Sequence, residues 1–359
     1  MEDFYNCHIH TFTGKAVPSG FLPLGLMRLL TTAAGSAVAR FALGKLWPFK
    51  NHDRFDRVAA LVGIGSLPNQ EAIFLHAAKF YPPETRFVVL PMDMDYMEAG
   101  EPPQPYLAQL NELQRLKKKY GQKIIPFVAA DPRRPDLFKL VRTYLEEYDF
   151  GGIKLYPPLG FYPFAEPLGD LYQYAQERQV PILTHCSRGG VYYQGRITER
   201  MRTHPKTGEK FTERRNQEFT DHYADPSNYR HVLAEYPELK ICLAHYGGDD
   251  EWHAYLDDPW PDANTAESWL SVISNLMRSY KNVYSDIAYT AHERRFWPLI
   301  KVLMNTPVLQ ERIIYGSDYY LVRLEGSERA FSLNLRGAIG EPEFLRLAAT
   351  NAAAFLKQG

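Results

Sequence analysis

Eight short apolar runs, separated by stretches with helical spacing, limit the folds open to this chain more than any other feature of it. The runs fall at 4–10, 86–92, 124–129, 152–156, 181–185, 240–245, 282–287 and 312–317. Apolar residues recur at three and four over 53–80, 105–120, 135–148, 166–179, 226–236, 265–280 and 293–306, as with Leu107, Leu110, Leu113 and Leu116. Strands alternating with helices pair in parallel through right-handed crossovers. Eight such units in 359 residues predict an α/β fold, a (β/α)8 TIM barrel with 1–359 as one domain. An open doubly wound sheet would carry a Gly-rich phosphate loop, and the Gly63–Gly65 pair lacks the third glycine.

Three long insertions follow strands 1, 5 and 6, at 14–52, 187–224 and 248–264. Loops after barrel strands sit on the catalytic face, so all three are expected to wall one pocket for a small-molecule substrate. A formal net charge of -1 offers no basic surface for nucleic acid. Cys7, Cys186 and Cys242 form no paired pattern and lie in or beside apolar runs, which points to free thiols in a reducing compartment. The start of the chain shows no basic and apolar leader, so a cytoplasmic location is expected. Arg28, Arg40 and Lys45 interrupt the apolar segment 21–49, which is expected to pack on the domain or cover the first strand's end and not to span a membrane. Oligomeric state is left open.

Chemistry-bearing residues gather at the ends of these runs. His8 and His10 close the first, and residues two apart on a strand share a face, so both imidazoles aim at one point. Lys154 lies in GGIKLYPP on the fourth, His185 ends VPILTH on the fifth, His245 ends LKICLAH on the sixth, and Asp318 follows RIIYGS on the eighth. A barrel collects strand ends into a ring, where four histidines and an aspartate form a divalent-metal site. Alternation sends Cys186 away from that ring. Asp93 and Asp95 in LPMDMDYM, Arg188 after the fifth strand, and Tyr156, Tyr289 and Tyr319 are candidates to line the pocket or bind substrate. The remaining histidines, 52, 76, 204, 222, 231, 253 and 292, read as surface or capping residues.

The set HxH…K…H…H…D resembles the amidohydrolase superfamily of metal-dependent barrels, over essentially the whole chain. LKICLAHYGG and IIYGSDYY are similar to the branch holding both hydrolases and non-oxidative decarboxylases, and GGIKLYPP to the strand-four motif of dihydroorotase-like members. The resemblance implies His8, His10 and Asp318 around one divalent ion, and His185 and His245 around a second. Zn2+ is the first expectation, with Mn2+, Fe2+, Co2+ and Ni2+ suited to the same donors. Lys154 as an ammonium would be repelled by such ions. Either it is carboxylated and bridges two of them, or it stays unmodified and pairs with Asp93 or a substrate carboxylate. The resemblance makes Asp318 the proton shuttle, with His245 beside it, in a hydrolase of a small amide, lactone or ester. A decarboxylase of an aromatic or unsaturated acid is the alternative, and a non-catalytic metal-binding protein a third.

Overall fold

The computed structural model describes residues 4–21, 63–259 and 267–357. Strands β1 (Tyr5–Ile9), β2 (Arg86–Val89), β3 (Ile124–Ala129), β4 (Gly152–Leu155), β5 (Ile182–Thr184), β6 (Ile241–Leu243), β7 (Val283–Asp286) and β8 (Ile313–Ile314) follow one another round a single sheet. Each pairs in parallel with the next. At the seam, the Cys7 amide donates to the Tyr315 carbonyl at 2.9 Å and the Asp318 amide to the His8 carbonyl at 2.8 Å. These bonds bring the sheet to a nearly closed barrel.

All eight apolar runs become strands, yet most stop short of the expected end: β6 at Leu243 and β8 at Ile314. The backbone turns out of the ladder there, and His245 and Asp318 take φ of 65° and 53°, which no strand residue adopts. Ile153, Leu155, Ile241 and Leu243 join the layer under the helices, where Cys186 also lies. Val88, Leu90, Phe127, Leu183, Cys242, Tyr284 and Ile314 fill the barrel with Tyr5 and Cys7. The helix Asn351–Leu356 seals the floor with Ala352 and Phe355.

One irregularity places the site. Along β1 and β2, Asn6 pairs with Phe87 but Ile9 with Val89. Two residues of β1, Cys7 and His8, therefore oppose one of β2, which is a bulge. The bulge shifts the alternation by one, so Tyr5 and Cys7 below it and His8 and His10 above it all face the barrel interior.

The helix Tyr106–Tyr120 buries Leu110, Leu113 and Leu116 but leaves Leu107 45% exposed. Steps of three fall short of one turn, so a run of four leucines at that spacing drifts off the packed face. Ser268 caps the helix Trp269–Ser279, its side chain accepting from the Ser271 amide at 3.2 Å. Helices Asn216–Ala224 and Asp249–Asp257 occupy insertions expected as loops, and Tyr319–Glu325 and Glu328–Ile339 follow β8 where the spacing assigns none. Residues 22–62 lie outside the described residues, and with them nearly all of the apolar segment 21–49. No helix among the described residues is long and apolar enough to cross a membrane.

Candidate metal centre

His8 is fully buried, and its Nδ1 lies 2.8 Å from Oδ2 of Asp286, the last residue of β7. That carboxylate spends its other oxygen on the amides of His245 (2.8 Å) and Ala288 (3.1 Å). Complete burial alone would raise the Asp286 carboxyl, but its contacts with the His8 ring and the His245 amide hold it well below the usual range. A carboxylate on Nδ1 sets a histidine's tautomer and turns Nε2 toward a metal. Nε2 of His8 is buried and has no hydrogen-bond partner among the described residues.

His10 is held the same way, its Nδ1 2.7 Å from the Leu90 carbonyl, which leaves Nε2 free. Burial pushes its pKa down to about 3, so the ring is neutral, the form that ligates. Asp318 completes the cluster. One donor atom from each of His8, His10 and Asp318 lies within 4.8 Å of the others. Gly316 permits this approach of β8, since a Cβ there would stand 2.5 Å from the His8 Cβ.

His245 points its Nδ1 at the Ala288 carbonyl (3.0 Å), and its ring centroid is 4.8 Å from those of both His8 and His185. It joins His8 and Asp286 in a second compact group. His185, expected to share a second ion with His245, belongs to neither of these three-residue groups among the described residues. His185 turns Nε2 to the carbonyl and hydroxyl of Ser187, both at 3.1 Å, and stacks on Tyr156 at 4.3 Å. Lys154 lies on the interior face of β4, fully buried, with Nζ lacking a hydrogen-bond partner among the described residues and 5.5 Å from the Tyr156 ring centroid. Burial lowers its pKa to about 8, against the pull of Asp286 and Asp318.

The other candidates are engaged elsewhere. Asp93 takes two bonds from Arg134, at 2.6 and 2.7 Å, and Arg134 also reaches Asp95, so neither acid meets Lys154. Arg188 donates to Glu251 at 2.9 Å and lies 4.4 Å over the Trp269 ring, tying the insertion after β5 to the one after β6. Tyr319 packs in the layer outside the barrel, its hydroxyl on His76, and Tyr289 stacks on His292 at 4.4 Å. Tyr156 stays at the centre, its hydroxyl accepting from the Val191 amide at 3.2 Å. Buried His204 holds a turn, with Nδ1 accepting from the Lys206 and Thr207 amides.

Asp286 is the residue missing from the sequence reading. It is the last but one residue of its apolar run, and that place near a strand end was its only signal.

The donors suit a divalent ion: two imidazoles and a carboxylate close together, with the buried Nε2 of His8 lacking a partner among the described residues. The profile of the family described as Amidohydrolase matches residues 105–358, well over half of the chain. The chain belongs to the amidohydrolase family. Members are metal-dependent, and the barrel of this amidohydrolase is shared with solved enzymes of low identity. The 2,6-dihydroxybenzoate decarboxylase from Rhizobium is 14% identical with a TM-score of 0.56, over 99% of each chain. The 5-carboxyvanillate decarboxylase from Novosphingobium aromaticivorans, solved with bound manganese, is 13% identical with a TM-score of 0.57, over 99% of this chain and 97% of its own. The 4-oxalomesaconate hydratase from Rhodopseudomonas palustris is 14% identical with a TM-score of 0.50, over 98% and 95%. Comparison with curated protein sequences returns no match.

Proposed function

We propose that this amidohydrolase hydrolyses a small amide, lactone or ester with the help of one or two divalent ions, Zn2+ foremost, and that 1–359 works as one catalytic domain. The observation that carries the reading is the partnerless Nε2 of buried His8 beside His10 and Asp318. A buried polar atom without a partner costs free energy, and a metal is the partner that its neighbours suit. Bound there, the ion would supply a Lewis acid that polarises the substrate carbonyl and lowers the pKa of water toward ~7.

Around it, each residue has a task. His8 and His10 hold the ion in neutral form, and Asp286 keeps His8 in the right tautomer. Asp318 accepts the proton of the attacking water on its carboxylate and returns it to the leaving group. His245, held by the Ala288 carbonyl and the Asp286 carboxylate, faces the same centre with Nε2 free to bind metal or to help carry that proton. His185, backed by Tyr156, is the remaining imidazole for a second ion. Three free and buried cysteines fit a reducing, cytoplasmic setting.

Lys154 decides between this reading and its rival. As an amine it forms an N–C bond with CO2, releases a proton and becomes a carbamate that can bridge two ions. As an ammonium it is a buried cation with no acid in bonding reach among the described residues, placed to seat a substrate carboxylate, and that observation favours a decarboxylase. Decarboxylases and a hydratase share the fold, which shows that the barrel hosts such chemistry and does not choose between them.

Element-resolved metal analysis of wild type and Lys154→Ala, with a substrate panel scored for hydrolysis and for CO2 release, separates the two. Hydrolysis through a bridged pair predicts two equivalents falling toward one. One equivalent in both proteins, with CO2 release, would replace hydrolysis by decarboxylation. No metal in either would end both readings.

A further inference from the structure

The two strands at the barrel seam lead to three of the metal-type donors, His8 on β1, His10 directly after it and Asp318 in the turn after β8. Few backbone bonds set the gap between them, because β1 is bulged at Cys7–His8 and β8 is two residues long. One side chain joins the backbone bonds that span the seam. Asn6 is fully buried, and its Oδ1 accepts from the amide of His8 at 3.3 Å and from the amide of Ser317 at 3.0 Å. Its Nδ2 donates to the Ser317 hydroxyl at 2.9 Å. The next residue after Ser317 is Asp318, whose own amide returns to the His8 carbonyl at 2.8 Å.

We propose that Asn6 is a positioning residue of the metal centre: by holding the bulged amide of His8 and the Ser317 backbone on one carboxamide, it sets the spacing between the His8 imidazole and the Asp318 carboxylate. The inference rests on the metal reading above. A bulge releases an amide from the ladder, and an amide buried without a partner is costly. Asn6 satisfies that amide with the same atom that grips the strand across the seam, so the bulge and the approach of Asp318 are one arrangement. Both a donor and an acceptor are used, which is why an amide side chain suits the place better than an apolar one.

The test is Co2+ affinity of the apo full-length chain, read by competition with a chelator, together with the visible spectrum of the Co2+ form, which reports ligand geometry. Asn6→Ala is expected to weaken Co2+ by ~10-fold or more, the range for residues that orient a ligand, and to shift the spectrum. Asn6→Asp keeps both acceptor contacts but loses the Nδ2 donor, and is expected to fall between wild type and Asn6→Ala. Leu335→Ala, a core truncation in the helix Glu328–Ile339, serves as the reference for lost stability alone and should lower the melting temperature with the spectrum unchanged. If Asn6→Ala loses no more affinity than Leu335→Ala and keeps the wild-type spectrum, the proposal is overturned. Should Asn6→Ala fail to fold, Ser317→Ala removes the Oγ that Nδ2 holds, and affinity equal to wild type there overturns it as well. Failure of the wild type itself to bind Co2+ or Zn2+ would overturn the metal reading and this proposal together, whereas tight wild-type binding with indifferent Asn6 variants sinks this one alone.

Discussion

Asp318 shows how much one residue can carry. Its backbone is left-handed at φ 53°, a conformation an aspartate tolerates better than most side chains, and its carboxylate meets two imidazoles. Exchange for asparagine keeps the shape and one ligating oxygen but removes the basicity. Asp318→Asn is therefore expected to bind metal more weakly while losing at least ~100-fold in turnover on the substrate found by the panel, the usual share of a general base. Turnover near wild type would pass the proton role to another group, with His245 next. Position at a strand end made His8, His10, Lys154, His185, His245 and Asp318 legible in the sequence, because a barrel turns that position into proximity. The same position did not reveal Asp286, since an aspartate ending VYSD looks like any strand-end acid until His8 is seen against it. Nor could it tell Arg188 with a partner from Arg188 without one. Glu251, which engages it, lies in a separate insertion, and the contact exists only after both have folded.

Elements are positioned here by what their neighbours leave room for. The loop after β5 passes over Tyr156 and His185 by way of Gly189 and Gly190, at φ of 74° and 82°. A Cβ on Gly190 would lie 2.7 Å from the Tyr156 hydroxyl. Gly190→Ala is therefore expected to cost ~1–2 kcal/mol from the left-handed backbone alone, before any displacement of Tyr156 from the His185 ring. Chemical denaturation would measure the loss, and stability equal to wild type would mean that the loop can move away from Tyr156 freely. Strand and helix periods were readable at this scale, and all eight strands came from them. The β1 bulge was not, because a bulge leaves the local composition unchanged and is decided by the partner strand. Leu107 failed for a related reason: an apolar residue on a helix is buried only if a neighbour covers that side.

At the scale of the whole molecule, the C-terminal helices bring a buried acid against the back of the barrel seam. Glu328 has no exposed surface, and its Oε1 accepts from Tyr81 at 2.5 Å. Burial pushes its carboxyl from 4.5 up to about 7, the Tyr81 bond opposing. The folded chain thus keeps a proton that the unfolded chain releases near 4.5, and this contribution to stability is lost as pH rises from there through about 7. Glu328→Gln stays neutral and keeps an acceptor for Tyr81. It should match wild type in stability near pH 4.5 and exceed it increasingly toward pH 8, by up to about 3 kcal/mol. Parallel pH profiles of the two melting temperatures would show instead that Glu328 titrates as an ordinary carboxyl. By itself, the sequence determined what is periodic or local: eight strands alternating with helices, their parallel order, and which strand ends bear metal-type donors. Side-chain alternation and helical spacing are properties of a segment and need no partner. The tertiary structure alone decided which donors converge, which charges are already paired, where the bulge falls and what Asn6 holds. Each of these depends on atoms brought together from distant parts of the chain, as Asn6 and Ser317 are across 311 residues, and no segment carries that distance within itself.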